Sequence, residues 1–138
     1  MKKLSLLLIL AFLSVSSYAQ NTANQPKLIA MLGSIPPQIN PDGKIGVTTV
    51  TRDMILANAV LTMPPPPCDI VSYTFSVLPK GKDFMGPYTV TGAALTPNIK
   101  KMLKDMEDPQ GKVFIENIKA NCGGKEMTVQ PIVLKMVK

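Results

Sequence analysis

The chain has 138 residues, 15 of them Lys or Arg against 9 Asp or Glu, with no His and no Trp. The missing histidine removes the commonest general base and metal ligand, and two isolated cysteines match no zinc spacing, so neither a metal nor a cofactor is expected. The net charge of +6 comes from scattered lysines with Arg52 as the only arginine; nucleic-acid binders cluster their bases with aromatic side chains between them, so no nucleic-acid partner is expected.

Met1-Lys2-Lys3 precede an apolar run from Leu4 to Val15, which is followed by Ser16-Ser17-Tyr18-Ala19-Gln20. A positive start, an apolar centre of about 12 residues and small residues at Ser17 and Ala19 define a secretory signal peptide spanning residues 1–19. The run is shorter than the about 20 residues of a membrane span, so no stable membrane insertion is expected after cleavage. Residues 20–138 are then one exported domain, periplasmic or secreted, and loss of Lys2 and Lys3 lowers the net charge by two, to +4.

Asn21 to Pro26 is a polar tether, and Lys27 to Leu32 reads as a first strand ended by Gly33-Ser34 and Pro36-Pro37. Asn40-Pro41-Asp42-Gly43 is a turn, because Pro presets φ and Gly accepts the positive φ that follows. Ile45, Val47 and Thr49 alternate with Gly46 and Thr48, which predicts a strand burying the first set. Thr51 then caps one or two helical turns over Arg52 to Ala57, with Asp53 near their positive end. Val60 to Met63 is extended. Pro64 to Pro67 is read as a stiff link; a PxxP docking motif is the alternative.

Asp69 to Leu78 gives the clearest alternation, with Val71, Tyr73, Phe75 and Val77 on a core face and Ser72, Thr74 and Ser76 on a water face. Pro79-Lys80-Gly81-Lys82-Asp83 is an exposed turn. It lacks the spacing of a phosphate loop. Phe84 to Thr91 returns, with Gly86-Pro87 marking a bulge or an edge. Thr96-Pro97 starts a helix whose Ile99, Met102, Leu103 and Met106 form one apolar stripe opposite Lys100, Lys101 and Lys104. Asp105, Glu107 and Asp108 follow without EF-hand spacing and are read as a solvated helix end.

The last 28 residues, GKVFIENIKANCGGKEMTVQPIVLKMVK, form a hairpin about Asn121-Cys122-Gly123-Gly124. Apolar parity changes in both arms: Val113 and Ile115 against Phe114 and Ile118 in the first, Met127 and Val129 against Ile132, Leu134 and Met136 in the second. Pro131 marks the second change, since proline cannot donate to a ladder. Pro87 and Pro131 are also expected to guard an edge, leaving the opposite edge or the Lys80 to Asp83 loop available to a partner. Cys68 and Cys122, in an exported chain, can form a disulfide; two buried free thiols are the alternative. The pattern as a whole predicts a mainly β domain with one or two short helices in its connections.

The ordered series SYTFSVLPKGKDFMGPYTVTGAALTPNIKKMLKDMEDPQGKVFIENIKA, followed by a glycine turn and VQPIVLKMVK, resembles the C-terminal domain of GldM, the gliding-motility and type IX secretion protein of Bacteroidetes. Gly111 to Ala120 carries the most specific part of the likeness, and TRDMILANAVL resembles that family's entry segment. The resemblance implies an immunoglobulin-like β-sandwich in the cell envelope, here as a stand-alone secreted module, with no catalytic residues to carry over. This chain has Cys122-Gly123-Gly124 where that family usually has a glycine-aspartate type of turn.

With no His, and with serines only in ordinary strand or loop contexts, no catalytic constellation is legible. The expected function is non-catalytic binding of a protein partner in the cell envelope, with Lys80, Gly81, Lys82 and Asp83 as the candidate contact. The alternative is a secreted inhibitor or effector that docks on an enzyme.

Overall fold

Strand β1 covers Met31–Leu32, β2 Val47–Thr51, β3 Leu61–Thr62, β4 Asp69–Pro79, β5 Met85–Thr91, β6 Gly111–Cys122, β7 Lys125–Thr128 and β8 Ile132–Val137; helix α1 covers Arg52–Ala57 and α2 Pro97–Asp105. This computed structural model describes residues 28–64 and 68–138. The expected signal peptide, the polar tether and Pro65 to Pro67 of the proline run lie outside the described residues.

The hairpin at the end of the chain is the centre of the main sheet. Strand β6 pairs antiparallel with β7, β8 and β4, and the path runs β2-β8-β6-β4-β5. β2 joins β8 in parallel, which makes the sheet mixed. β1 and β3 form a separate antiparallel ribbon. Among the described residues both sheets are open, with no closed barrel. Buried side chains of the sheet (Tyr73, Phe75, Val113, Leu134), the ribbon (Leu32, Leu61) and the helices (Ile55, Ile99, Leu103) belong to one apolar core.

Both helices begin as the residues require. Thr51 Oγ1 accepts from Met54 N at 3.2 Å and Thr96 Oγ1 from Ile99 N at 3.3 Å, so each threonine satisfies a backbone donor left open in a first turn. The end of α2 is closed from elsewhere in the chain. Arg52 Nη1 donates to Leu103 O, Lys104 O and Met106 O at 3.3, 3.4 and 2.8 Å, putting a cation on carbonyls that carry the negative end of the helix. Arg52 is therefore a structural clamp between α1 and α2 rather than a solvated base.

A crease crosses the main sheet. In β6, Val113 and Ile115 are buried, then Ile118 and Ala120; in the opposing arm Val129 is buried, then Ile132 and Leu134. Lys119↔Thr128 and Ile115↔Ile132 keep one register on either side, so three residues face three across the break and both arms change parity together. Asn117 sits in the crease with φ of 51°, the only non-glycine with positive φ among the described residues. Its Nδ2 donates to Thr74 Oγ1 at 3.3 Å. Pro131 lies at this break, opposite Glu116 in the continued register, and not on an edge strand; Pro87 does stand on the edge strand β5.

Three face assignments differ from the sequence reading. In β4, irregular pairing between Ile70 and Thr74 moves Ile70 into the core and leaves Val71 38% exposed. In β2 the buried residues are Thr48 and Val50, while Val47 is 47% exposed. The cause is long-range, because Thr48 pairs with Leu134 and Val50 with Met136, and those partners face the core. Ser76, expected in water, is buried on the outer face. It pairs with Phe114, whose ring lies 6.3 Å from that of Phe84.

Candidate functional site

Strand β4 ends at Pro79, and β5 begins at Met85, leaving the expected turn between them. Lys82 N donates to Pro79 O at 3.2 Å, and Gly81 takes the positive φ of 69° that closes the reversal. The turn is held from the side as well. Lys80 N donates to Gln110 O at 3.0 Å, and Lys80 Nζ lies 3.5 Å from Gln110 Oε1. Lys80, Gly81, Lys82 and Asp83 are all exposed.

The turn separates two clefts. The first, of about 470 Å³, is lined by Lys80 and Lys82, by Lys112 of β6, by Lys135 of β8, and by Leu78 and Val137 among apolar residues. The second, of about 330 Å³, shares Pro79, Lys80 and Lys82 with the first and adds Asp105, Glu107 and Asp108. One side of the turn thus carries lysines alone among charged residues, and the other adds three carboxylates. Asp83 lines neither cleft, so the structure brings together Lys80, Gly81 and Lys82 of the expected contact and leaves Asp83 outside.

Register explains how the basic cleft arises. Leu78 pairs with Lys112, Lys112 with Lys135, and Lys135 with Thr49, so these four form one row on the outer face of the sheet. Sequence reading did not single out Lys112 and Lys135. They are 23 positions apart, and only the pairing of β6 with β8 makes them neighbours.

Three ion pairs occur among the described residues: Lys44–Asp42, Lys101–Asp105 and Lys119–Glu126. Lys80, Lys82, Lys112 and Lys135 are in none of them. On α2, the hydrogen bond to Asp105 at 2.5 Å holds the Lys101 ammonium above its usual pKa. Asp108 Oδ1 accepts from Gln110 N at 3.0 Å, which fixes the turn leading into β6. Among the described residues there is no group of three or more His, Cys, Asp or Glu placed to hold a metal ion.

Cys68 and Cys122 form a disulfide at the far end of the β4–β6 pair, with Cα atoms 4.4 Å apart. Asp69 pairs with Asn121, so the bridge falls one position beyond the last rung of the ladder, as a cross-strand pair. A bridge of this kind belongs to an oxidising, extracytoplasmic compartment. No helix among the described residues is long and apolar enough to cross a membrane. No family model and no curated protein matches the chain.

Proposed function

We propose that this protein is a non-catalytic, extracytoplasmic binding module that contacts a protein partner in the cell envelope through the face carrying the Lys80–Lys82 turn. The observation that carries the reading is the placement of that turn. It is exposed, pinned to Gln110, and stands as the wall between a basic cleft and one that carries carboxylates. A projection flanked by clefts of different charge suits recognition of a surface with the complementary charge order.

On this reading the domain is a variant of the immunoglobulin-like sandwich of the GldM C-terminal family, in which the β1–β3 ribbon and the two helices take the place of a full second sheet. The resemblance in Gly111 to Ala120 and in the Thr96-Pro97 helix start supports it, as does the disulfide, which suits an exported, periplasmic or secreted domain. A link to gliding motility or type IX secretion follows from that likeness. Function belongs to the site and not to the scaffold, so the partner decides the matter.

Affinity capture from envelope fractions with the disulfide-bonded protein tests the proposal. Components of a secretion or motility complex are the expected catch. Capture of a hydrolase would place the protein with secreted inhibitors instead, and measurable turnover of a substrate by the purified protein would overturn the non-catalytic reading.

A further inference from the structure

We infer that the cleft between the Lys80–Lys82 turn and strand β8 is a site for a short acidic segment of a partner protein, whose carboxylates meet Lys80, Lys82, Lys112 and Lys135. The inference rests on the protein-binding reading above and adds the chemistry of what is bound.

Lys112 and Lys135 stand directly opposite one another on β6 and β8. Like charges in that position weaken a sheet, and a stable surface intersperses carboxylates among them. Among the described residues no Asp or Glu lines this cleft; Lys80 and Lys82 also face the carboxylates of the second cleft, whereas Lys112 and Lys135 line the first alone. None of the four lysines takes part in an ion pair among the described residues. Two of the lysines stand on a turn whose backbone is fixed on Gln110, which sets where their side chains leave the chain. A cavity of about 470 Å³ lies in the size range of ligand sites. The positive potential centred on Lys112 and Lys135 is what an incoming carboxylate group neutralises.

The surroundings select among anions. Leu78 and Val137 give the cleft apolar lining, which a small inorganic anion leaves unused and an aliphatic side chain between two carboxylates covers. Beyond the turn lie Asp105, Glu107 and Asp108. An extended polyanion or a flat anionic membrane surface runs past the cleft onto those carboxylates and is repelled there. A segment a few residues long ends before reaching them. Lysines, as compact charges on flexible stems, accept carboxylates without the fixed geometry that guanidinium groups impose.

Fluorescence anisotropy of a labelled peptide alternating glutamate and leucine, titrated with the disulfide-bonded protein, is the test. Binding at an ionic strength of about 0.01 M that weakens at about 0.15 M is expected, because exposed charges are screened over that range. The double variants K112Q/K135Q and K80Q/K82Q should each weaken binding about fivefold or more, while K44Q, outside the cleft, should leave it unchanged. Thermal midpoints no lower than that of the parent protein show that these variants are folded. Unchanged affinity in both double variants overturns the inference, as does tighter binding of an oligonucleotide or of phosphatidylglycerol vesicles than of the peptide. A partner captured through position 82 together with no peptide binding sinks the acidic-segment inference alone; failure of capture sinks the protein-binding reading beneath it.

Discussion

Lys112 and Lys135 are Cα partners across β6 and β8, two exposed like charges side by side on the outer face of the sheet. Replacing Lys135 by Glu turns the pair into an attractive one and should raise stability by roughly 0.5–1 kcal/mol, a few degrees in thermal midpoint. Calorimetry of the parent and Lys135→Glu proteins measures it. A lowered midpoint would show that the repulsion is already relieved in the free protein.

The Cys68–Cys122 bridge closes a loop with a sequence separation of 54. In the chain-entropy account a loop of that length contributes about 4 kcal/mol, so the Cys68→Ala/Cys122→Ala protein should unfold at much lower denaturant. Thiol titration of the oxidised, denatured protein should find no free thiol. Two reactive thiols per chain would contradict the bridge.

Arg52 serves three carbonyls at the end of α2, and its nearest contact is 2.8 Å to Met106 O. Arg52→Ala should lose about 1–2 kcal/mol and speed amide exchange in the last turn of α2 more than in β6. Uniform change in exchange across the domain would assign Arg52 no special tie to that helix.

Tyr73 is 1% exposed, and its hydroxyl donates to Ala93 O at 3.3 Å. Burial pushes its pKa up from 10 to about 12. The unfolded chain releases this proton near pH 10 while the folded chain keeps it until about pH 12. The stability this group contributes is therefore complete below pH 10 and is lost as the pH rises to about 12. Denaturant melts across that window should fall for the parent protein and be flatter for Tyr73→Phe. Equal slopes would contradict the assignment.

Local signals carried much of this fold. The threonine caps at Thr51 and Thr96, the turn at Lys80–Asp83, the two-armed hairpin and its break at Pro131 all rest on chemistry within a few residues, and each lies where the sequence put it. The core face of β2 is not legible in its own residues, because it is set by β8, more than 80 positions later, through a parallel pairing that leaves no turn to announce it. Arg52 stood out only as the single arginine, since its acceptors are backbone carbonyls 51 to 54 positions away. The candidate site was half legible for the same reason. Lys80 and Lys82 are visible in a turn, whereas Lys112 and Lys135 become part of it only when the sheet assembles.

The proposed contact face is tested most directly by photocrosslinking in the envelope of the native host, with a photoreactive residue placed at Lys82 in one strain and at Lys44 in another. Lys44 pairs with Asp42 and lines neither cleft. One defined protein captured from position 82, and not from position 44, is the expected result. Equal capture from both positions, or none from position 82, would contradict the assignment of the Lys80–Lys82 face as the binding surface.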